Sequence, residues 1–138
     1  MGVSMTIGEW VQAAGLRNGT VPVVDCVPGP RVDGVPLHDE TNSCSRTYGY
    51  WTDFCEKTGL SAMFYHKETG LFRRHPSISR LDAHHAMQLR AALQRYMAKN
   101  GGIVADVEDD DVLADLHWLL HWFEWALANC KVPAIANS

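Results

Sequence analysis

The segment from Val112 to Cys130 is apolar on two opposite sides of a helix. At about 100° per residue, one side carries a stripe made of Leu113, Leu116, Leu120, Phe123 and Leu127. The nearly opposite side carries Trp118, Trp122 and Trp125. Such a helix has to be covered on both sides, either at the centre of its own domain or by a partner. Because tryptophan is enriched at binding hot spots, the three tryptophans are the first candidate surface for a protein partner or a homodimer.

A narrow polar sector remains on this helix and holds His117, His121 and Glu124. Their i, i+4, i+7 spacing puts two imidazoles and a carboxylate on one side, and divalent metals use these ligand types. The glutamate that follows the first histidine in the zincin motif is missing, and no fourth ligand is identifiable. A metal site for a hydrolase is one interpretation and a solvated polar strip is the other; no cofactor is predicted.

Two elements are predicted before residue 28. Thr6-x-x-Glu9 matches a capping box and predicts a short helix that ends at Gly15. Apolar residues follow the cap at helical spacing, namely Ile7, Trp10, Val11 and Ala14. The β-branched run over residues 21–27 then predicts a strand, and Pro22 places it at a sheet edge or at a strand start.

The middle of the chain is predicted to contain a long loop and a helix. Residues 28–46 are rich in Pro, Gly, Asp, Asn and Ser, and Asp33-Gly34 is a candidate hairpin turn within them. A loop of this length is often functional or mobile. A helix is predicted from Tyr48 to Thr58, and Gly59 ends it with a Schellman-type cap in which Leu60 folds back.

Four further elements are predicted in the second half. Residues 63–65 and 71–73 resemble a small hairpin, with a helical turn as the competing interpretation. Asp82 is placed to cap a helix that runs to about Lys99. A short strand is predicted at 103–107, before the helix at 112–130, and residues 132–138 are predicted to be a flexible tail.

Length and composition indicate one domain. A chain of 138 residues lies within the usual range of a single domain, and its apolar share of 46% is sufficient for one hydrophobic core. Together with the patterns above, they predict a single α+β domain over residues 1–138. We expect it to be mostly helical, with about four helices and a small antiparallel strand or hairpin component.

The cysteines give little support for a special site. Cys26, Cys44, Cys55 and Cys130 are scattered without a CxxC pair, so reduced thiols are expected. A zinc set of three of them with His38 matches none of the usual ligand spacings. The sequence shows no secretory leader and no run of about 20 apolar residues, so a cytoplasmic protein without membrane contact is expected.

Charge is distributed unevenly although the net charge is only −4. Residues 67–99 are strongly basic, whereas residues 101–130 contain seven acidic residues and no Lys or Arg. Arg73, Arg74 and Arg80 lie among aromatic residues, as on a phosphate or single-stranded nucleic-acid surface. The alternative is that the basic and acidic segments are neighbours whose charges cancel, and the overall acidity argues against strong nonspecific DNA affinity.

Several segments resemble small uncharacterised proteins encoded by tailed phages and prophages. They are YGYWTDFCEKTGL at 48–60, MFY at 63–65, ETGLFRRHP at 68–76, the Trp-rich helix and the NCKxP that follows it. The resemblance covers roughly the last two thirds of the chain and brings no catalytic residues with it. It implies a protein that acts by binding, which blocks a host or defence protein or assists phage assembly.

No nucleophile elbow, P-loop or dinucleotide fingerprint is present. The leading hypothesis is therefore a non-enzymatic, phage-encoded inhibitor that binds a host or defence protein in the host cytoplasm through Trp118, Trp122 and Trp125. The rivals are a metal-dependent hydrolase at His117, His121 and Glu124, and a phage assembly protein. A third rival is a nucleic-acid or nucleotide binder that uses Arg73, Arg74 and Arg80.

Overall fold

A computed structural model describes residues 2–11, 23–24, 42–99 and 111–137. In these ranges the chain forms five strands and four helices. In chain order they are β1 (Gly2–Val11), β2 (Val23–Val24), β3 (Ser43–Thr47), α1 (Tyr48–Thr58), α2 (Ser61–Tyr65), β4 (Ser77–Arg80), α3 (Ala83–Lys99), α4 (Asp111–Asn129) and β5 (Pro133–Asn137). The predicted class, α+β with helix predominating and about four helices, is confirmed. The strand component is an antiparallel sheet rather than an isolated hairpin.

The long strand β1 organises this sheet. It pairs with β3 from Gly2↔Thr47 to Thr6↔Ser43 and with β5 from Met5↔Asn137 to Glu9↔Pro133, while its end pairs with β2. The helix predicted after Thr6 is therefore wrong. Apolar and polar side chains alternate along β1, and the apolar ones at Val3, Met5 and Ile7 are buried. Glu9 does not close a capping box, because its carboxylate accepts the backbone N–H groups of Lys131 (2.8 Å) and Val132 (2.6 Å).

The predicted tail and the predicted long loop both need correction, because each contains a strand. The segment predicted to be a flexible tail contains β5, which lies between β1 and β4 in the order β2-β1-β5-β4. Ala134 and Ile135 in β5 are fully buried, so this strand belongs to the core. The predicted loop at 28–46 ends in β3, whereas its candidate turn at Asp33-Gly34 lies outside the described residues. The strand predicted at 21–27 is present at Val23–Val24, and the one at 103–107 is also outside the described residues.

The helices α1 and α3 follow the sequence closely. Gly59 ends α1 in the left-handed region at φ 73°, and Leu60 donates to the Cys55 carbonyl at 3.0 Å, which is the predicted Schellman arrangement. Asp82 caps α3, because its Oδ1 accepts the backbone N–H of His85 at 3.2 Å. The hairpin predicted at 63–65 and 71–73 is wrong, since the first segment is the short helix α2, as the competing interpretation had it.

The two apolar sides of α4 are both covered within the chain. The aliphatic side contributes Leu113, Leu116 and Phe123 to the core, and the opposite side contributes Trp118 and Trp122, each 1% exposed. Trp125 is half-buried and packs against the same core. The helix packs against α3 and against the sheet strands β1 and β5. The central position predicted as one alternative is therefore the observed one, and the predicted tryptophan surface is absent at two of its three positions.

Candidate functional site

Two polar cavities meet beside the first turn of α3. The histidine cavity, about 410 Å³, lies between α2 and α3 and is lined by His66, Asp82, His84 and Gln88. The arginine cavity, about 310 Å³, is lined by Trp10, Arg73 and Arg80. Thr69 and His85 line both cavities, so the two adjoin and are treated together as the polar groove.

A tight turn after α2 places Arg73 in the groove. Leu71 donates to the Met63 carbonyl at 2.9 Å and Phe72 to the Phe64 carbonyl at 2.7 Å, which holds this segment against α2. A Cβ atom at Gly70 would lie 2.5 Å from the Phe64 carbonyl oxygen, so the turn requires glycine. Phe64, Leu71 and Phe72 are buried and anchor the turn in the core. The aromatic residues expected to accompany the arginines therefore belong to the core, with the exception of the exposed Tyr65.

The three predicted arginines occupy different environments. Arg73 lies at the turn, where its Nη1 donates to the Gly70 carbonyl at 3.1 Å. Arg80 lies on β4, at the register position Arg80↔Ala134, and lines the same cavity. All three arginines are exposed, but Arg74 lines neither cavity, and its carbonyl accepts from Asn137 Nδ2 at 3.2 Å. The structure thus brings Arg73 and Arg80 together and leaves Arg74 apart.

These arginines differ from the other basic side chains in their electrostatic partners. Within the described residues, Arg73, Arg74 and Arg80 form no ion pair, whereas Arg46 pairs with Asp115 and Arg90 with Glu124. The expectation that basic and acidic segments neutralise each other is therefore met at Arg90 and Glu124 but not in the arginine cavity. The aspartate cluster at 106–110 lies outside the described residues.

His85 lies where the two cavities meet, and its protonation is fixed by the α3 cap. Its Nδ1 accepts the backbone N–H of Asp82 at 3.0 Å, while Asp82 Oδ1 lies 3.3 Å from the same nitrogen. The contact with the Asp82 N–H favours Nδ1 as an acceptor and the neutral imidazole with its proton on Nε2. Burial lowers the pKa of His85 and outweighs the opposing effect of Asp82, which agrees with a neutral ring. His85 therefore offers one N–H donor.

The other two histidines of the groove make local contacts. His66 Nδ1 accepts from the backbone N–H groups of Glu68 (3.2 Å) and Thr69 (3.4 Å) and so helps to shape the turn. His84 Nε2 lies 3.2 Å from the side-chain nitrogen of Gln88, one helical turn further along α3. Despite three histidines and an aspartate nearby, no group of three metal-ligating side chains converges anywhere in the described ranges.

The predicted metal residues on α4 do not converge either. His117 and His121 are half-buried, and the Nε2 atom of each is enclosed without a hydrogen-bond partner among the described groups. Burial lowers the pKa of both imidazoles, and at His121 the nearby Glu124 opposes this effect. Glu124 itself is exposed and pairs with Arg90 on α3. The three residues thus have separate environments.

A third cavity, about 450 Å³, adjoins a buried ion pair that sequence reasoning missed. Asp115 on α4 accepts from Arg46 Nε at 2.9 Å, from Arg46 Nη2 at 2.7 Å and from the Tyr50 hydroxyl at 2.8 Å. Burial, followed by the Asp115 contact, raises the pKa of Tyr50 far above its usual value, so this phenol stays a donor. Since both carboxylate oxygens are engaged by the protein itself, the network holds β3 and α1 to α4. The sequence offered one signal for this ion pair: Asp115 is a carboxylate between the apolar Leu113 and Leu116.

The described cysteines differ in burial. Cys44 and Cys55 are buried and Cys130 is half-buried, whereas Cys26 and His38 lie outside the described residues. Burial raises the pKa of Cys55 to about 12, so it is a poor nucleophile at neutral pH.

The most exposed aromatic side chains in the described ranges are two tyrosines. Tyr48 at the start of α1 is 40% exposed and Tyr65 at the end of α2 is 43% exposed. The ring of Tyr65 packs edge-on against Phe72 at 6.2 Å between centroids. Burial, then Cys55, raises the pKa of Tyr65, against an opposing effect of Trp51. Tyr48 and Tyr65 are together called the tyrosine patch.

Comparisons with known proteins leave the family open. No protein-family model, no curated protein and no solved structure matches the chain. The resemblance to small phage proteins therefore rests only on the sequence segments that suggested it. None of the helices in the described ranges is both long and apolar enough to cross a lipid bilayer.

Proposed function

We propose that the polar groove binds a phosphate-bearing ligand. The observation that carries the proposal is that Arg73 and Arg80 line one cavity and have no carboxylate partner among the described residues. Guanidinium groups bind phosphate oxygens through charge-assisted hydrogen bonds, often two at a time. An arginine pair without a counterion among the described residues is therefore available to an anion.

The remaining polar groups of the groove suit the same ligand. His85 presents a neutral imidazole with one N–H donor where the cavities meet. Asp82 is the single carboxylate among the described lining residues, and it is engaged by the backbone N–H of His85. Because the chain is acidic overall, with a net charge of −4, this local cationic cavity favours a specific anion site over a broad polyanion-binding surface.

Titration calorimetry with pyrophosphate tests the proposal. The expected result is saturable binding that weakens as salt concentration rises, because binding a multivalent anion at cationic side chains is screened by added ions. Arg73→Gln and Arg80→Gln should each weaken binding by about tenfold, the effect of one lost charge-assisted hydrogen bond.

Arg74→Gln is the matched control, since it removes the same charge from the neighbouring position outside the cavity. Its binding constant should stay within about twofold of that of the unchanged protein, as for an exposed charge at a distance. Equal losses of pyrophosphate binding in all three variants would show that binding depends only on the net charge of the protein and not on the cavity. Absence of pyrophosphate binding would overturn the proposal.

A second candidate function is protein binding through the tyrosine patch. The predicted surface of Trp118, Trp122 and Trp125 is largely enclosed in the core, whereas Tyr48 and Tyr65 are exposed. Tyrosine is also enriched at binding hot spots. The resemblance to phage proteins favours a host or defence protein as the partner, with an assembly protein or a second copy of this chain as alternatives.

Affinity capture from bacterial lysate, repeated with Tyr48→Ala and Tyr65→Ala, tests this second candidate. A specific partner should be captured by the unchanged protein and lost with either variant. Met87→Ala is the control because Met87 is 61% exposed on a different helix, α3. Light scattering of the same samples measures self-association. Capture that is equal for all variants would contradict a role for the patch.

A further inference from the structure

Trp10 has a different environment from the other four tryptophans. Trp51, Trp118 and Trp122 are members of the core cluster, and Trp125 packs against it. Trp10 is half-buried, contributes to neither group, and lines the arginine cavity with Arg73 and Arg80. Its side chain therefore lies outside the hydrophobic core of the described residues.

The sheet register places Trp10 and Arg80 on one face. Side chains alternate along β1, so Trp10 lies on the face opposite to that of the buried Val3, Met5 and Ile7. Gly8 pairs with Ala134 and Ala134 with Arg80, which puts Arg80 on the same face as Trp10, with only β5 between their strands. Two strand spacings separate the two backbones by about 10 Å. An indole and a guanidinium thus border one cavity.

We infer that the ligand of the groove is a nucleotide unit, whose phosphate contacts Arg73 and Arg80 and whose base stacks on Trp10. This inference rests on the proposed phosphate binding. Every nucleobase presents a flat π-face that stacks on indole, and a nucleotide carries this face and its phosphate at opposite ends of a sugar. An inorganic anion has no such face and would not use the indole of Trp10. Free nucleotides and single-stranded nucleic acid share this chemistry.

Binding measurements with three probes test the inference. The probes are pyrophosphate, adenosine diphosphate and a short single-stranded oligodeoxythymidylate, each added to the full chain. Adenosine diphosphate should bind at least about tenfold more tightly than pyrophosphate, the contribution of one stacked base. Trp10→Leu should remove this advantage without changing pyrophosphate binding, and Trp10→Phe should keep most of it. If the oligonucleotide binds more tightly than adenosine diphosphate, the ligand is single-stranded nucleic acid. If it does not, the ligand is a free nucleotide.

Fluorescence provides an independent readout. Quenching by adenosine diphosphate should be present in the unchanged protein and reduced in Trp10→Phe, while Trp125→Phe should leave it unchanged. Pyrophosphate binding that depends on Arg73 and Arg80, with no gain for adenosine diphosphate, would overturn the inference and leave the proposed function intact. Equal losses of pyrophosphate and nucleotide binding in Trp10→Leu would also overturn it, because Trp10 would then only shape the cavity.

Discussion

Arg46 and Asp115 join β3 to α4 through two parallel hydrogen bonds, 2.9 Å from Nε to Oδ2 and 2.7 Å from Nη2 to Oδ1. The side chains are only 17% and 4% exposed. Removing Arg46 takes the opposite charge away from the buried Asp115 carboxylate, so Arg46→Leu should lower the free energy of unfolding by about 3–5 kcal/mol. Urea denaturation measures this change.

Two control variants separate the effect of burying the charges from the effect of pairing them. Lys57→Ala breaks the exposed Lys57–Asp53 pair and should cost at most about 1 kcal/mol. The double variant Arg46→Leu/Asp115→Leu removes both charges and should be less destabilised than Arg46→Leu alone. A single variant as stable as the unchanged protein would show that the pair contributes nothing.

Gly70 and Gly49 should respond in opposite ways to a single added methyl group. A Cβ at Gly70 would meet the Phe64 carbonyl at 2.5 Å and the His66 nitrogen at 2.6 Å, whereas nothing lies within 4 Å of a Cβ at Gly49 in α1. Gly70→Ala should therefore destabilise the protein and weaken pyrophosphate binding, because the turn positions Arg73. Gly49→Ala should stabilise it by about 0.5 kcal/mol, as expected for alanine in a helix. Thermal denaturation measures the stability of both variants, and titration calorimetry measures their binding of pyrophosphate.

Stability should fall as the solution is acidified below the usual histidine pKa. Burial lowers the pKa of His117 and His121, so the unfolded chain takes up protons at a pH where the folded chain does not. The loss should begin near the unfolded pKa of about 6.5 and level off below the folded values. Urea denaturation at pH 7 and pH 5 should show a smaller difference for His117→Gln/His121→Gln than for the unchanged protein.

Cys55 should resist alkylation while the protein is folded. Burial raises its pKa to about 12, and the thiolate is the reactive form. Iodoacetamide should modify the half-buried Cys130 faster than Cys55, and both should react at similar rates in denaturant. Peptide mass mapping follows each position separately. Fast labelling of Cys55 under native conditions would be inconsistent with its burial.

Local sequence patterns predicted α1 and α3 well, because the residues that end or begin a helix act on their close neighbours. Gly59 and Asp82 mark helix ends through contacts within a few positions of themselves. The prediction for β1 was wrong because its partners are distant in the sequence. Thr6 and Glu9 match a local cap, but the groups that Glu9 binds are 122 and 123 residues away, and a sequence pattern does not show such a pairing.

The candidate site was predicted in part. Arg73 and Arg80 stood out because positive charges cluster in that segment, and the structure brings these two together. Trp10 was missed because it was assigned to a helix, and His85 because its role depends on the junction of two cavities. The sequence left the environment of Trp118 and Trp122 open, because a helix with two apolar faces has the same sequence whether the domain or a partner covers it.

The order of the strands has a consequence for biosynthesis. β1 and β4 share no backbone hydrogen bonds with each other, and both pair with β5, which follows them in the sequence. Their alignment must wait until residues 133–137 have emerged from the ribosome, so nascent chains that stop short of β5 expose two unsatisfied strand edges. Such edges recruit other chains, and we therefore expect the shortened products to aggregate.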